Sequence, residues 1–245
     1  MSKKSLGQHF LINQGVHRKI AETAEIKAGD TVVEVGPGHG ELTDHLLATG
    51  AKVIAIEKDS ELAVFLREKY RNNKNIEIVE DDILKFDPSF VIRHSSFVIV
   101  GNIPYYLTSH LLRVVLQDWP PPDLIVFIIQ KEVAQRIVAK PPKMNMIALL
   151  VQCYGIPKII MTVKKGSFNP PPKVDSAIIK LKIKSQKSKM GKGFLNLVAK
   201  GFKHPRKMLG YSLPKDKLLM AGIDPKRRPS TLSLDEWKTL WEIMV

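Results

Sequence analysis

Asn102-Ile103-Pro104-Tyr105 closes the apolar run 97–100 and carries the groups needed to hold an exocyclic amine. In such an amine the nitrogen lone pair is delocalised into the ring. It becomes nucleophilic only when its two N–H groups are held by acceptors that favour a pyramidal geometry. Asn102 offers its side-chain carbonyl as one acceptor. Pro104 fixes its own φ and pushes Ile103 toward an extended conformation, which can aim the Ile103 carbonyl at the same nitrogen. Tyr105 then presents a flat face to a base. Four residues of this kind also make an ordinary strand-to-turn junction, so the chemical reading needs partners elsewhere in the chain.

Those partners lie at the ends of neighbouring strands. Glu34-Val35-Gly36-Pro37-Gly38-His39-Gly40 follows the first β-like run and opens a helix, the place where an α/β sheet holds a nucleotide-like ligand. Its spacing is E-x-G-x-G-x-G rather than the G-x-G-x-x-G of a dinucleotide site, and no Walker lysine follows. The loop resembles motif I of S-adenosylmethionine-dependent methyltransferases. Glu57 ends the second run, where a carboxylate can accept from both hydroxyls of a ribose, with Lys58 beside it. Asp82 follows the third and can accept from an adenine amino group, with Ile83 against the ring. Gly36, Gly38, Gly40, Glu57, Lys58, Asp82, Ile83 and Asn102 are thus the candidate cofactor site.

Positioning these residues requires parallel strands wrapped by helices. β-rich runs at 31–35, 52–57, 75–79, 97–101 and 124–130 alternate with helical spacing at 41–48, 60–70, 109–117 and 131–138, which predicts a Rossmann-like α/β sheet. A buried helix at 145–154 and two late strands at 157–163 and 176–183 follow. The polar, basic, Gly/Ser-containing stretch 185–193 reads as a linker. Beyond it only helical spacing remains, at 194–202, 215–221 and 234–244, with Ser233 and Glu236 placed for a capping box. Two domains are therefore expected, a methyltransferase domain over 1–184 and a small basic helical domain over 185–245.

Charge separates the two parts. The net charge is +14; residues 1–180 hold 23 Lys and Arg against 19 Asp and Glu, and residues 181–245 hold 15 against 5. Such asymmetry suits a polyanion, and with no hydrophobic anchor beside it a nucleic acid is preferred to a membrane. A lone cysteine, Cys153, excludes an internal disulfide and fits a reducing, cytoplasmic setting. The scattered histidines show no metal-ligand spacing, so no metal is expected.

Further segments complete a resemblance. Lys4-Ser5-Leu6-Gly7-Gln8-His9-Phe10-Leu11, Gln130-Lys131-Glu132-Val133-Ala134 and Phe168-Asn169-Pro170-Pro171-Pro172-Lys173-Val174-Asp175-Ser176-Ala177 resemble, in order and spacing, the KsgA family of small-subunit ribosomal RNA adenine N6,N6-dimethyltransferases. The resemblance runs from Lys4 to about Trp241. It implies S-adenosyl-L-methionine as donor, with Gln8, His9 and Leu11 closing over its methionine end, and Phe168 as the aromatic that sandwiches the target base against Tyr105. It further implies two adjacent adenosines in the 3′-terminal hairpin loop as substrate, a monomeric enzyme, and the small ribosomal subunit or its assembly precursor as partner. His9 stands where many relatives have Asn, and Tyr106 where Asn or Gln is usual.

Two clusters make the tail a candidate RNA surface, Lys200, Lys203, Arg206 and Lys207 in one and Arg227 and Arg228 in the other. The alternatives are an erythromycin-resistance-type enzyme acting on large-subunit RNA, and a ribosome-assembly or transcription-associated factor in which catalysis is secondary. The three prolines after Phe168 and the tail favour the small-subunit reading.

Overall fold

The computed structural model describes residues 9–90, 96–184 and 191–245. The chain packs as two units. The first holds the described residues up to Ala134 and from Pro157 to Lys184; the second holds Gln135–Ile156 and the described residues from Gly191 onward.

The first unit is built on a seven-stranded sheet. Its strands are β2 (Thr31–Val35), β3 (Lys52–Glu57), β4 (Ile76–Glu80), β5 (Phe97–Asn102), β6 (Leu124–Gln130), β7 (Gly155–Val163) and β9 (Ser176–Ile183), in the order β4-β3-β2-β5-β6-β9-β7. The five strands from β2 to β6 are parallel and β9 runs antiparallel to β6. The central strands are buried on both faces, so they read as continuous apolar runs such as Ile125–Ile129. A two-residue strand, β1 (Phe10–Leu11), pairs with β8 (Phe168–Asn169), Leu11 opposite Phe168.

Helices α1 (Gln14–Thr23), α2 (Glu41–Leu47), α3 (Ser60–Lys69) and α4 (Thr108–Gln117) cover this sheet, and α5 (Lys131–Ile137) follows β6. Local chemistry fixes where they start. Asn13 caps α1 by accepting from the Val16 N–H at 3.2 Å, and Asp59 caps α3 by accepting from the Glu61 N–H at 3.0 Å. Gly40 precedes α2 in the left-handed region, with φ 85°. Val16 and Ile20 of α1 are buried with Leu42, Leu46 and the strand residues Val32, Val53 and Val100 in one core.

The second unit has its own core, formed by α6 (Met146–Tyr154), α7 (Gly191–Gly201), α8 (Lys215–Met220) and α9 (Leu234–Met244). Trp237, Phe194, Leu209 and Leu232 are fully buried in it, and Phe202 stacks on Trp237 at 5.9 Å. The expected capping box of α9 is formed, with Ser233 Oγ accepting from the Glu236 N–H and Glu236 accepting from the Ser233 N–H. A single division at residue 184 does not describe this packing. Helix α6 buries Ala148, Leu149 and Cys153 against the C-terminal helices and so belongs to the second unit. A helix apolar nearly all round needs burial on most sides, and its sequence alone does not say which core supplies it.

Candidate active site

β2 is the switch point of the sheet, since β3 and β4 extend to one side of it and β5 to the other. Ligands bind outside the carboxyl ends of strands at such a point. The loops leaving β2, β3, β4 and β5 there border a cavity of about 170 Å³. Its walls include His9, Leu11, Gly36, Gly38, Glu57, Lys58, Asp82, Ile83, Asn102, Ile103, Pro104, Tyr105 and Phe168, all sequence candidates. Gly40 is not on the wall; it turns the chain into α2. Gln8 and the residues before it lie outside the described residues.

Glu57 organises the glycine loop. It is 5% exposed, and its carboxylate accepts from the N–H groups of Gly38 at 3.2 Å and Asp59 at 2.9 Å. Burial raises its pKa, while the N–H groups of Asp59, Gly38 and Lys58 oppose the shift. A carboxylate placed this way is stabilised by further donors such as a ribose diol. Gly36, with φ 66°, has no atom within 4 Å of where a Cβ would stand, so backbone borders open cavity there. Gly38 instead is covered by the Phe10 ring, 3.2 Å from its would-be Cβ. At the other end Asp82 accepts from Lys58 Nζ at 2.8 Å and from the Leu84 N–H at 3.1 Å. Partial burial works against its ionisation, but these bonds outweigh it and its pKa is lowered. An ionised carboxylate has about four acceptor positions, so Asp82 retains capacity for an amino group. Buried diol acceptor, open glycine wall and ionised strand-end carboxylate together fit an adenosyl cofactor.

The Asn102 segment is held from two sides. Asn102 Nδ2 donates to the His9 carbonyl at 2.9 Å, which orients the amide and leaves Oδ1 for another partner. The Ile103 N–H donates to the Ile128 carbonyl at 3.1 Å, and the Leu107 N–H to the Pro104 carbonyl at 2.9 Å, fixing the turn into α4. The Tyr105 hydroxyl is 2.8 Å from buried Ser176 Oγ. His9 in turn bonds the Pro170 carbonyl through Nδ1 at 2.8 Å, and its ring lies 5.9 Å from that of Tyr105. Phe168 is 3% exposed and belongs both to the cavity wall and to the core.

Two buried titratable wall residues were outside the sequence candidates. His17 of α1 is 3% exposed, and its Nδ1 has no hydrogen-bond partner among the described residues. Burial, with His45 nearby, lowers its pKa to about 4, so it is neutral near pH 7. The signal for it was available, because Asn13 marks a helix start and Val16, His17 and Ile20 then share the inward face. Glu34 was read as part of the glycine motif but not as a titrating group. It is 1% exposed and accepts from Thr43 Oγ1 at 2.6 Å. Burial pushes its pKa up to about 8, partly offset by the Thr43 bond.

Glu34 therefore has a consequence for stability. Its folded pKa of about 8 exceeds the unfolded value of 4.5, so the unfolded chain releases this proton first as pH rises. Its stabilising contribution is complete below pH 4.5 and is lost as pH rises toward 8. His17 acts in the opposite sense, between its folded value of about 4 and its ordinary 6.5. Above 6.5 the Glu34 effect stands without it. Glu34→Gln should remove a slope approaching about 1.4 kcal/mol per pH unit in that window. The check is the wild-type-minus-variant difference in unfolding free energy from urea titrations at pH 6.5, 7.2 and 8, and a flat difference would rule the assignment out.

The basic candidates belong to the second unit. Lys200, Lys203, Arg206, Lys207 and Arg228 are exposed. Arg227 is not available in the same way: its guanidinium pairs with Glu236 through Nη1 and Nη2, and Nη2 also donates to the Thr231 carbonyl at 2.7 Å. The sequence grouped it with Arg228 as an RNA contact, whereas the structure uses it to tie the turn before α9. Among the described residues no group of three His, Cys, Asp or Glu could hold a metal ion, and no helix is long and apolar enough to cross a membrane.

Sheet order and strand-end pocket define a Rossmann-like methyltransferase. Residues 1–244 match the family profile described as ribosomal RNA adenine dimethylase, and the chain belongs to that family. Membership implies an S-adenosylmethionine-type methyl donor. The chain is 42% identical to a ribosomal RNA small subunit methyltransferase A of Dehalococcoides mccartyi over 253 residues, covering 98% of this chain and 87% of the relative. The corresponding figures for a protein of the same description from Clostridium botulinum are 40% over 257 residues, 97% and 92%. Among crystal structures, a dimethyladenosine transferase from Plasmodium falciparum matches with a TM-score of 0.82 and 28% identity over 95% of this chain and 96% of its own. The 23S rRNA methyltransferase ErmE matches with 0.77 and 27%, over 96% and 98%.

Proposed function

We propose that the chain dimethylates N6 of two adjacent adenosines in the 3′-terminal hairpin loop of small-subunit ribosomal RNA, acting as a monomer on the small subunit or its assembly precursor. The observation that carries the amine chemistry is the Asn102 amide, whose donor end is fixed on the His9 carbonyl while Oδ1 stays free for an incoming N–H. Small rather than large subunit is favoured by the relatives at 42% and 40% identity, both described as small-subunit enzymes, over ErmE at 27%.

S-adenosyl-L-methionine, when bound, supplies an electrophilic methyl group and leaves as S-adenosyl-L-homocysteine. Glu57 and Asp82 would hold its ribose and adenine, the Gly36 and Gly38 backbone its middle, and Gln8, His9 and Leu11 its methionine end. Before the first transfer Asn102 Oδ1 and the Ile103 carbonyl would hold the two protons of N6, before the second one of them would hold the single proton left, and both stabilise the positive charge that develops there. Tyr105 provides a face for the base, and Phe168, 3% exposed in the wall, would sandwich it only after the wall shifts. Alignment of this kind can contribute on the order of 7–11 kcal/mol, and the surplus proton can leave to water, so no dedicated base is required. Loop adenosines suit such a pocket because unpaired bases cost least to turn out.

The test is to incubate the enzyme with radiolabelled donor and small- or large-subunit particles, then map the labelled nucleotides. Two neighbouring dimethylated adenosines near the 3′ end of small-subunit RNA are expected. Label confined to large-subunit RNA would overturn the assignment in favour of the erythromycin-resistance-type reading.

A further inference from the structure

The second unit carries an exposed aromatic that its own core does not explain. Tyr211 ends the 3-10 turn Leu209–Tyr211, and that turn is firmly fixed. Leu209 is fully buried and its N–H donates to the Arg227 carbonyl at 2.8 Å; the Gly210 N–H donates to the Pro225 carbonyl at 2.9 Å. The Tyr211 and Ser212 N–H groups close the turn on Met208 and Leu209, at 3.1 and 2.9 Å. Arg227 is itself held by Glu236. Despite this anchoring, Tyr211 is 65% exposed and the adjoining Met208 54%.

Its surroundings are cationic. Lys207 Nζ lies 5.1 Å from the Tyr211 ring centroid, and the His204 ring stands nearly perpendicular to it at 5.3 Å. Lys203 and Arg206 are exposed in the same connecting segment. No acidic residue occurs from Gly191 to Lys215. Among the described residues no carboxylate pairs with Lys203, Arg206 or Lys207.

We propose that Tyr211 is a stacking platform for an unpaired RNA base, with Lys207 and Arg206 meeting the phosphates beside it. The proposal rests on the RNA-methyltransferase reading and adds to it a contact for RNA outside the catalytic pocket. Cations alone would serve a duplex backbone, which is read by charge and shape. An exposed aromatic on a fixed backbone turn among them adds what a single strand needs, because every base has a face to stack. An acidic protein partner would match the charge but would leave the ring without a specific role.

Binding of the full-length protein to fluorescein-labelled oligoadenylate and to a duplex RNA of equal length, followed by anisotropy over a range of salt, tests this. Tyr211→Ala should weaken single-strand binding by about 5- to 100-fold, with duplex binding changed less than about twofold. The slope of log K against log salt should stay as in wild type, since stacking releases no counterions, whereas Lys207→Ala should reduce it by about one unit. Tyr211→Trp should bind at least as well as wild type. Single-strand affinity of Tyr211→Ala within about twofold of wild type would overturn the proposal. So would an equal loss on duplex, or a Trp variant no better than Ala. Methyl transfer to RNA by the wild-type preparation is scored separately; its absence would instead remove the functional reading.

Discussion

Replacing Asn102 by Ala should lower the single-turnover rate of methyl transfer about 100- to 1,000-fold while leaving the affinity for small-subunit RNA within about twofold of wild type. The size follows from what the amide does. Its Oδ1 is the side-chain acceptor for the amine, and without it one N–H of N6 faces an apolar wall while positive charge develops on the nitrogen. Its Nδ2 holds the His9 carbonyl at 2.9 Å. Losing that bond should cost roughly 0.5–1.5 kcal/mol of stability, too little to unfold the protein. Asn102→Asp sharpens the test, because it keeps an acceptor but sets a carboxylate oxygen against the His9 carbonyl. Both variants should be slow if amide orientation matters; a fast Asp variant would show that any acceptor suffices. An Ala variant within tenfold of wild type in methyl incorporation would sink the mechanism. Loss of methylation with retained subunit binding would separate catalysis from any assembly role.

The same residue shows how much of the site the chain discloses. The acceptor pair, the glycine loop and the strand-end carboxylates were legible because each sits immediately after a parallel strand, and such strands, buried on both faces, stand out as β-branched and aliphatic runs. What holds them was not. The His9 and Pro170 contacts depend on a pairing of two residues, Phe10–Leu11 with Phe168–Asn169, and two residues leave no periodicity to read. His17 was passed over because a polar ring on a mostly polar helix gives no apolar stripe at its own position, although the Asn13 cap marks the helix start. Arg227 looked like its neighbour Arg228 because a charge run does not disclose which member meets a carboxylate; Glu236, nine residues on, reaches only one of them. Local chemistry writes caps, turns and strands into the sequence, whereas the partner across space is written only in the fold.

Gly101 is a case where that partner sets the cost of a change, and Gly101→Ala should be the most destabilising of the substitutions discussed, by about 3 kcal/mol. Glycine inside a central strand marks a close approach. A Cβ here would stand 2.6 Å from the Val35 carbonyl oxygen, 3.1 Å from Val35 Cβ and 3.0 Å from Ile103 Cδ1. The first two belong to β2, hydrogen-bonded alongside β5 with Val35 opposite Gly101, and β6 closes the other side of β5 with Phe127 in register. Neither neighbour is a flexible side-chain tip, so relief requires one strand to move. Moving β2 displaces Gly36, the next residue; moving β5 displaces Asn102. Either shift separates the cofactor wall from the amine acceptors, so activity should fall even where the protein still folds. Urea unfolding measures the stability loss and donor titration by calorimetry the damage to the pocket. Gly166→Ala is the control, because nothing lies within 4 Å of its would-be Cβ and its φ is not positive; it should change stability by less than about 0.5 kcal/mol. A Gly101→Ala protein as stable as that control would mean that β2 and β5 tolerate more separation than their close packing implies.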